Sequence, residues 1–404
     1  MNFPLFISRR IQKPASATFS ATVSRIGMVS VALGIAVGII AFSILLGFKQ
    51  TIKDKVFLFG AHLKLSTFSL NESAEENPMS INLPIFKSLP PSIVYKQAVA
   101  HKAGILKTPD ELQGAILKGV GPDFNWKTFN QTLVKGKPID FSDSALTTQV
   151  ILSNKIAKAL RIDVGQSLNM YFVQNPPRAR KLTVVGIYET DVEEFDNQLI
   201  IGNIALVQRL NGWDKNTIGS YEFFVDDFNN LRSIESNLKK QLPPDLRVES
   251  VTRRFPALFD WLNMLDQNTL ILMSLILLVA CFNIISVLLV MMMERTSMIG
   301  LLKTLGSPNG QIRKIFFYIG IQLAIKGLLL GNLLGIGLCL IQKNFKIIPL
   351  DPINYSMSFV PIQFDWQMII ILNISTLVII ALILIIPTLI IASIRPIQAL
   401  AFRK

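Results

Sequence analysis

Residues 26–48 read IGMVSVALGIAVGIIAFSILLGF, an apolar run without one ionisable side chain. About 20 such residues in a helix cross a ~30 Å hydrocarbon core. Only a helix closes its own backbone hydrogen bonds there without water. Soluble helices average about 11–12 residues, so a buried soluble helix does not account for the run. Three more long apolar runs follow, Asn268–Met293, Ile315–Ile341 and Trp366–Ile391, and a long polar stretch separates the first from the second. The sequence therefore reads as an α-helical membrane protein. It has four transmembrane helices plus an α+β extracytoplasmic domain between the first and second helices.

Composition agrees with that division. The chain has 404 residues, 50% of them hydrophobic, and a mean hydropathy of +0.45. That is too apolar for an ordinary soluble protein and too polar for a bundle lying wholly in lipid. The first run is too long for a secretory signal, and no small-x-small cleavage site precedes Lys49 and Lys53, so it reads as a retained anchor. The expected parts are a cytoplasmic or interfacial segment 1–25, helix 26–48, the domain 49–267, helix 268–293 and a cytoplasmic loop 294–314. Helix 315–341, a short outer loop 342–365, helix 366–391 and a cytoplasmic tail 392–404 follow.

Orientation follows from the charges of the short segments. Arg9, Arg10, Lys13 and Arg25 precede the first helix without an acid. The loop 294–314 carries Arg295, Lys303, Arg313 and Lys314 against Glu294, and the tail carries Arg395, Arg403 and Lys404. The loop 342–365 is balanced, with Lys343 and Lys346 against Asp351 and Asp365. Both termini and the loop 294–314 are thus expected in the cytoplasm, and the domain outside. These segments hold eleven basic residues and one acidic, most of the net charge of +13. Anionic headgroups explain that bias, and no nucleic-acid motif accompanies it.

The domain shows strand-like runs at Gln149–Leu152, Leu168–Val173, Lys181–Tyr188, Gln198–Ile201 and Tyr221–Val225. Helices are expected at Asn154–Leu160 and Asn229–Leu242, the second stopped by Pro243 and Pro244. Asn71–Pro78 is polar and acidic and reads as a mobile loop. Gln174–Arg180 places two prolines between two strands. It reads either as a protruding, stiffened loop with a basic tip or as a plain hairpin connection. Residues 1–25 read as an interfacial helix or as a basic flank.

The two cysteines, Cys281 and Cys339, both lie in membrane runs, so the domain has no disulfide. His62 and His101 have no cluster of partners, and no metal site is expected. No phosphate-binding Gly-x-x-x-x-Gly-Lys-[Ser/Thr] loop, Gly-x-Ser-x-Gly elbow or His-Glu-x-x-His helix occurs. If ATP is used, another chain must bind it. Ser30, Gly34 and Gly38 on the first helix, and Gly327, Gly331 and Gly335 on the third, form small-residue stripes that suit close helix packing, within the chain or between subunits. Lys326 is a charge in the middle of the third helix, with no acid in any span to pair with it. It reads as a functional or snorkelling residue. After the second helix, Met298, Ile299, Leu301, Leu302 and Leu305 make a short amphipathic segment that Gly306 ends. Ser307 is expected to cap the next helix, with Pro308 at its first position. Such a segment can dock in a partner's groove or lie on headgroups. Pro387 is expected to kink or end the last helix.

Several stretches carry a family resemblance that covers nearly the whole chain. They are Phe6-Ile7-Ser8-Arg9-Arg10, Val31-Ala32-Leu33-Gly34-Ile35-Ala36, Leu46-Gly47-Phe48, Ile116-Leu117-Lys118-Gly119-Val120 and Val184-Val185-Gly186-Ile187-Tyr188. The most specific is Val279-Ala280-Cys281-Phe282-Asn283-Ile284-Ile285 followed by Met293-Glu294-Arg295. Ile299-Gly300-Leu301-Leu302-Lys303-Thr304-Leu305-Gly306 and Arg395-Pro396-Ile397-Gln398-Ala399-Leu400 complete it. The chain resembles the FtsX-like/MacB-type permeases of ABC transporters, and among them the lipoprotein-releasing permeases of the LolC and LolE type. Lys326 is outside that pattern.

The resemblance implies a non-catalytic membrane subunit in a bacterial inner membrane. It would bind no cofactor itself, with ATP and Mg on a partner ABC ATPase. It implies a second permease subunit (a homodimer or a sister chain), a lipoprotein cargo and a periplasmic carrier. Glu294, Arg295, Ile299, Gly300, Leu302, Lys303, Leu305 and Gly306 would form the coupling segment on the ATPase. Asn175, Pro176, Pro177 and Arg178 occupy the place of the carrier-binding hook. Leu45, Leu46, Phe48, Leu262, Leu265 and Leu272 are the candidates by analogy for the apolar cargo path. A MacB-like exporter and an FtsX-like mechanical transmitter acting on a cell-wall hydrolase are the alternatives.

Overall fold

The computed structural model describes residues 3–11, 19–68, 76–87, 89–109, 111–142, 147–172, 174–351, 355 and 357–390. The stretch 71–75, Lys13, and the tail with Arg395–Leu400 lie outside the described residues. Two compact units divide the chain. One comprises Met1–Lys49, Trp261–Pro349 and Phe359–Lys404, and the other Gln50–Asp260 with Leu350–Ser358.

Four long apolar helices are present, Phe19–Gly60, Pro256–Glu294, Asn309–Phe345 and Trp366–Ile383. The first two run well past the apolar runs that hydropathy marks at 48 and 268. Ile52, Val56 and Phe59 recur at helical spacing and are all buried, so the first helix keeps a packed face through its polar extension. Hydropathy marks where lipid-like composition ends, not where the helix does. The third helix opens at Asn309 with Pro308 in the cap position, one residue later than expected. The fourth breaks at Leu384 before a short helix Ile385–Ile390. Pro387 has no N–H for the carbonyl of Ile383, and its ring crowds that carbonyl. A short helix, Phe3–Ile11, lies before the first membrane helix. Its Ser8 is buried and accepts a hydrogen bond from Gln322 Nε2 of the third helix at 3.2 Å.

The glycine stripes do not face one another. A Cβ on Gly331 would lie 2.6 Å from the Ala32 carbonyl, and one on Gly335 would lie 3.1 Å from the Ala36 carbonyl. The third helix thus rests on the backbone of the first. Gly34 looks instead towards Ile276 and Ala280 of the second helix, and Gly38 towards Leu372 of the fourth. All five glycines pack within the chain. Gly331→Ala therefore forces the first and third helices apart, at a cost of about 1–3 kcal/mol. A lowered melting temperature of the detergent-purified chain reads this out, with Gly337→Ala, which has open space, as the unaffected control.

One polar contact in this unit has no signature in hydropathy. Asn332 Nδ2 donates to Asn373 Oδ1 at 2.6 Å, and Asn373 Nδ2 donates back to Asn332 Oδ1 at 2.9 Å. This reciprocal amide pair ties the third helix to the fourth, where lipid offers no alternative partner. Lys326 lies on the exposed side of the third helix.

The second unit is built on a ten-stranded mixed sheet. Its strands are β1 (Leu63–Thr67), β3 (Ile93–Lys107), β4 (Leu112–Val120), β5 (Leu133–Gly136), β6 (Gln149–Ser153), β7 (Ser167–Phe172), β8 (Arg178–Tyr188), β9 (Leu199–Asn203), β11 (Ser220–Val225) and β12 (Leu246–Ser250). Two short strands, β2 (Met79–Ser80) and β10 (Thr217–Ile218), pair separately. The path runs β12-β1-β11-β3-β4-β9-β6-β8-β5, with β7 on β3 and β8. The pairs β4–β9 and β6–β8 are parallel and the rest antiparallel. Helices Asn154–Leu160 and Ile204–Asn211 cover one face, and Leu117, Val150, Leu152, Ile200 and Val207 fill the core beneath them. Ser153 and Asn203 start these helices by accepting from the Ile156 and Ala205 N–H groups.

β1 leaves the first membrane helix and β12 leads to the second. They pair directly, Leu63 opposite Ser250 and Leu65 opposite Val248. Both long helices therefore enter the sheet on neighbouring strands.

Candidate functional site

The segment after the second membrane helix forms a helix of its own, Thr296–Thr304. The break follows from Thr296, whose Oγ1 donates to the Met292 carbonyl at 3.2 Å and the Met293 carbonyl at 2.6 Å. Such back-bonding competes with the helical ladder. Gly306, at φ +85°, ends the segment, and Ser307 N–H returns to the Leu302 carbonyl at 2.9 Å.

The apolar residues of this helix divide between two faces. Ile299 is fully buried against Ile312, Ile315 and Phe316, and Gly300 is buried beside it. Met298 and Leu302 pack partly against the same cluster. Leu301 and Leu305 point the other way and are 54% and 74% exposed. Glu294 and Gly306 are exposed, and Arg295 and Lys303 half-buried. The outward face is therefore carried by Leu301 and Leu305, of which sequence reasoning singled out only Leu305 as a coupling residue. A helical wheel cannot tell which of two apolar arcs the neighbouring helix will cover.

The hairpin loop is shorter than the sequence suggests. β8 begins at Arg178, directly opposite Phe172, so the connection spans 173–177. Arg178 Nη1 donates to the Arg209 and Leu210 carbonyls at 3.1 and 3.0 Å. It closes the C-terminal end of the helix Ile204–Asn211, where carbonyls lack partners and the helix dipole is negative. The exposed tip is Asn175, Pro176 and Pro177, which carry no charge. The expected basic tip is corrected in this respect.

The six cargo-path candidates differ in exposure. Leu262 is 1% exposed, Leu272 is exposed, and Leu45, Leu46, Phe48 and Leu265 are half-buried. Phe48 meets Trp261 edge-on at 5.6 Å, and Lys49 pairs with Asp266 at 2.5 Å, joining the two helices there. Apolar space is also present along these helices. A cavity of about 230 Å³ lies between the first, second and fourth helices, lined by Gly34, Phe42, Met273, Met368 and Leu372 among others. A groove beside Leu33, Val37, Leu275 and Val279 opens on the other side of the Gly34 contact.

The second unit carries buried charge that sequence reasoning did not single out. Glu76, placed by sequence in the mobile acidic loop, has a side chain only 7% exposed. It accepts from His101 Nδ1 at 3.0 Å and Ser220 Oγ at 2.6 Å and pairs with Lys64 at 2.5 Å. Burial alone would raise its pKa, but His101 and Lys64 hold it well below the usual range. Lys118 and Glu222 are 0% and 1% exposed and pair at 2.7 Å. Among the described residues no His, Cys, Asp and Glu group could hold a metal ion.

His62 lies among Phe57, Phe224 and Phe228, and its Nδ1 accepts from the Val225 N–H at 2.8 Å. Burial pushes its pKa from 6.5 down to about 4. The unfolded chain takes this proton near pH 6.5 and the folded domain only near pH 4. Stability from this group is complete above pH 6.5 and falls as the pH drops towards 4. The His62→Gln variant is expected to lose less stability than the wild type between pH 7 and pH 4.5 in parallel thermal melts.

Comparisons with known proteins cover both units. Residues 26–241 match the MacB-like periplasmic core domain, and residues 270–396 match the FtsX-like permease C-terminal domain. The lipoprotein-releasing system transmembrane protein LolE of Haemophilus influenzae is 23% identical over 398 residues, 91% of each chain. LolC of the same organism is 26% identical over 404 residues, 93% of this chain and 94% of that one. The crystal structure of the periplasmic region of MacB from Actinobacillus actinomycetemcomitans aligns with 50% of this chain and 95% of its own, at 16% identity and a TM-score of 0.35.

Proposed function

Because the chain belongs to the permeases built from a MacB-like periplasmic core domain and an FtsX-like C-terminal domain, we propose that it is the membrane subunit of an ABC transporter. Its task is the release of lipoproteins from the inner membrane to a periplasmic carrier. A separate ATPase supplies the energy. The observation that carries this reading is the short helix Thr296–Thr304, which presents Leu301 and Leu305 outward from an otherwise packed turn. That is the form of a surface awaiting a partner, and the basic bias of the loop 294–314 supports a cytoplasmic position, where ATP is. The relatives along nearly the whole chain are lipoprotein-releasing transmembrane proteins, which supports the choice of cargo.

The cost of the task fits the proposed machinery. Each buried methylene contributes ~0.8 kcal/mol, so lifting several acyl chains out of a bilayer needs coupled hydrolysis. The large domain faces the periplasm in this reading and receives the cargo. A second permease subunit, either another copy or a sister chain, completes the path. This chain binds no nucleotide, and ATP with Mg is held by the ATPase. The neutral tip Asn175-Pro176-Pro177 meets the carrier, with Arg178 fixing its base.

Replacing residues 175–177 by Gly-Gly-Gly tests the carrier contact. ATP hydrolysis by the reconstituted complex is expected to persist while lipoprotein transfer to the carrier falls at least tenfold. Undiminished transfer would refute the assignment of the loop. A co-purifying cell-wall hydrolase, with no lipoprotein released by the wild type, would establish the mechanical-transmitter reading instead.

A further inference from the structure

The first membrane helix ends at Gly60 inside the large domain, where one cation bonds a terminal carbonyl and a second lies close by. Lys118 Nζ, from β4, donates to the Phe59 carbonyl at 2.7 Å. Arg254 comes from the turn just before the second membrane helix, and its Nη2 lies 3.4 Å from where a Cβ of Gly60 would stand. The negative end of a long helix dipole attracts both. One carboxylate serves them. Glu222 of β11 is held by Lys118 through both oxygens, at 2.7 and 2.9 Å, and by Gln97 Nε2 of β3 at 2.6 Å. Three adjacent strands, β11, β3 and β4, are thereby bolted together under the helix end.

Side-chain packing reinforces the same point. The Phe59 ring stacks on Tyr188 and Phe195 at 5.2 Å and meets Phe129 edge-on at 6.0 Å. Phe195 in turn touches Phe255, at the root of the second helix. The Arg254 Nε and Nη2 atoms are buried and have no hydrogen-bond partner among the described residues. A guanidinium is costly to bury with donors unused. Glu222 is the carboxylate that acts on it most strongly.

We propose that Lys118, Glu222 and Arg254 form the joint that carries movement of the first membrane helix into the sheet, with Lys118 gripping the helix end, Glu222 tying that lysine to β11 and β3, and Arg254 buried beside Gly60. They are positioning residues and touch neither cargo nor nucleotide. The inference rests on the transporter reading for its consequence, but the joint itself is a property of this chain. A helix that ended in a flexible loop would dissipate a displacement. One whose terminal carbonyl is held by a buried ammonium on a central strand passes it on.

The test uses the full chain with its ATPase in proteoliposomes loaded with a triacylated lipoprotein. Lys118→Met alone leaves Glu222 buried without its cation, so the informative variant is Lys118→Met with Glu222→Gln, which keeps the Gln97 contact and removes both charges. The doubly substituted complex is expected to hydrolyse ATP within twofold of wild type but to release at least tenfold less lipoprotein per ATP. Lys118→Arg keeps the cation and is expected to retain release within threefold. Wild-type release per ATP by the double variant would reduce the pair to a structural role and overturn the proposal. Hydrogen exchange of the unmodified chain in nanodiscs judges the joint even if the double variant fails to fold or no ATPase activity is found. Amides of 57–61 and 116–120 are expected to open together as one unit. Independent opening would overturn the joint, whereas a wild-type complex that releases nothing would count against the transporter reading instead.

Discussion

Changing Leu301 and Leu305 together to Asp is expected to leave a folded chain that no longer retains its ATPase. Both side chains are more than half exposed, so neither supports the interior. Two exposed apolar residues at the C-terminal end of a short helix are suited to act as anchors, and loss of an anchor costs about 2 kcal/mol or more, roughly thirtyfold in affinity. Affinity purification from detergent, with the ATPase quantified per permease, measures the effect. A charge at Gly300 is expected to act differently. Gly300 is buried beside Ile299, so Gly300→Glu drives a carboxylate into the packed turn and lowers the stability of the chain itself. Retention of the ATPase by the double Asp variant would show that this helix lies on headgroups and not on a protein.

Lys118→Met is expected to be the most destabilising single change in the large domain. The methionine fills most of the space, but the Glu222 carboxylate stays buried with its cation gone. Burial alone would raise the Glu222 pKa, and Lys118 is what holds it low. Breaking a buried pair from one side costs about 3–5 kcal/mol. For a domain of this size that corresponds to a melting temperature lower by roughly 10 °C. Addition of Glu222→Gln is expected to restore most of the loss, since the penalty comes from the orphaned charge. A single variant that melts with the wild type would show that water reaches the pair.

The membrane part was largely legible because lipid enforces a simple rule, and the four apolar runs obey it. What hydropathy could not show is how far the helices continue. Ile52, Val56 and Phe59 keep a buried face in a stretch that also holds Lys49, Lys53, Asp54 and Lys55, and a composition window averages that face away. Part of the domain was equally readable. The helix Asn154–Leu160 has its cap at Ser153 in the sequence itself, and β6, β8 and β11 are rich in β-branched and aromatic residues. The longest strand, β3, was harder. β3 contains Lys96, His101, Lys102 and Gly104, a composition that disfavours a strand outside its context. Its polar residues are tolerated because the sheet supplies partners, Glu222 for Gln97 and Glu76 for His101.

The candidate site divided in the same way. The coupling segment stood out by position and pattern, yet only the packing of Ile299 against Phe316 decides which arc remains free. Arg178 read as a loop tip because its helix-capping partners, the Arg209 and Leu210 carbonyls, are distant in sequence. The pairing of Lys118 with Glu222, the burial of the Glu76 side chain and the place of Arg254 gave no signal, although Lys118 lies in a family-like stretch and Glu76 in the acidic one. Each is an ordinary charged residue in the sequence, and only the fold sets Glu76 beside Lys64 and His101 and Lys118 beside Glu222 and the end of the first helix.

The most direct test of the account is ATP-dependent transfer of a triacylated lipoprotein to a soluble carrier. The assay uses proteoliposomes containing this chain, its co-purified ATPase and any sister permease. The account predicts transfer that requires ATP, this chain and the carrier together. Stable assembly with an ATPase that hydrolyses ATP while no lipoprotein leaves the bilayer would contradict it.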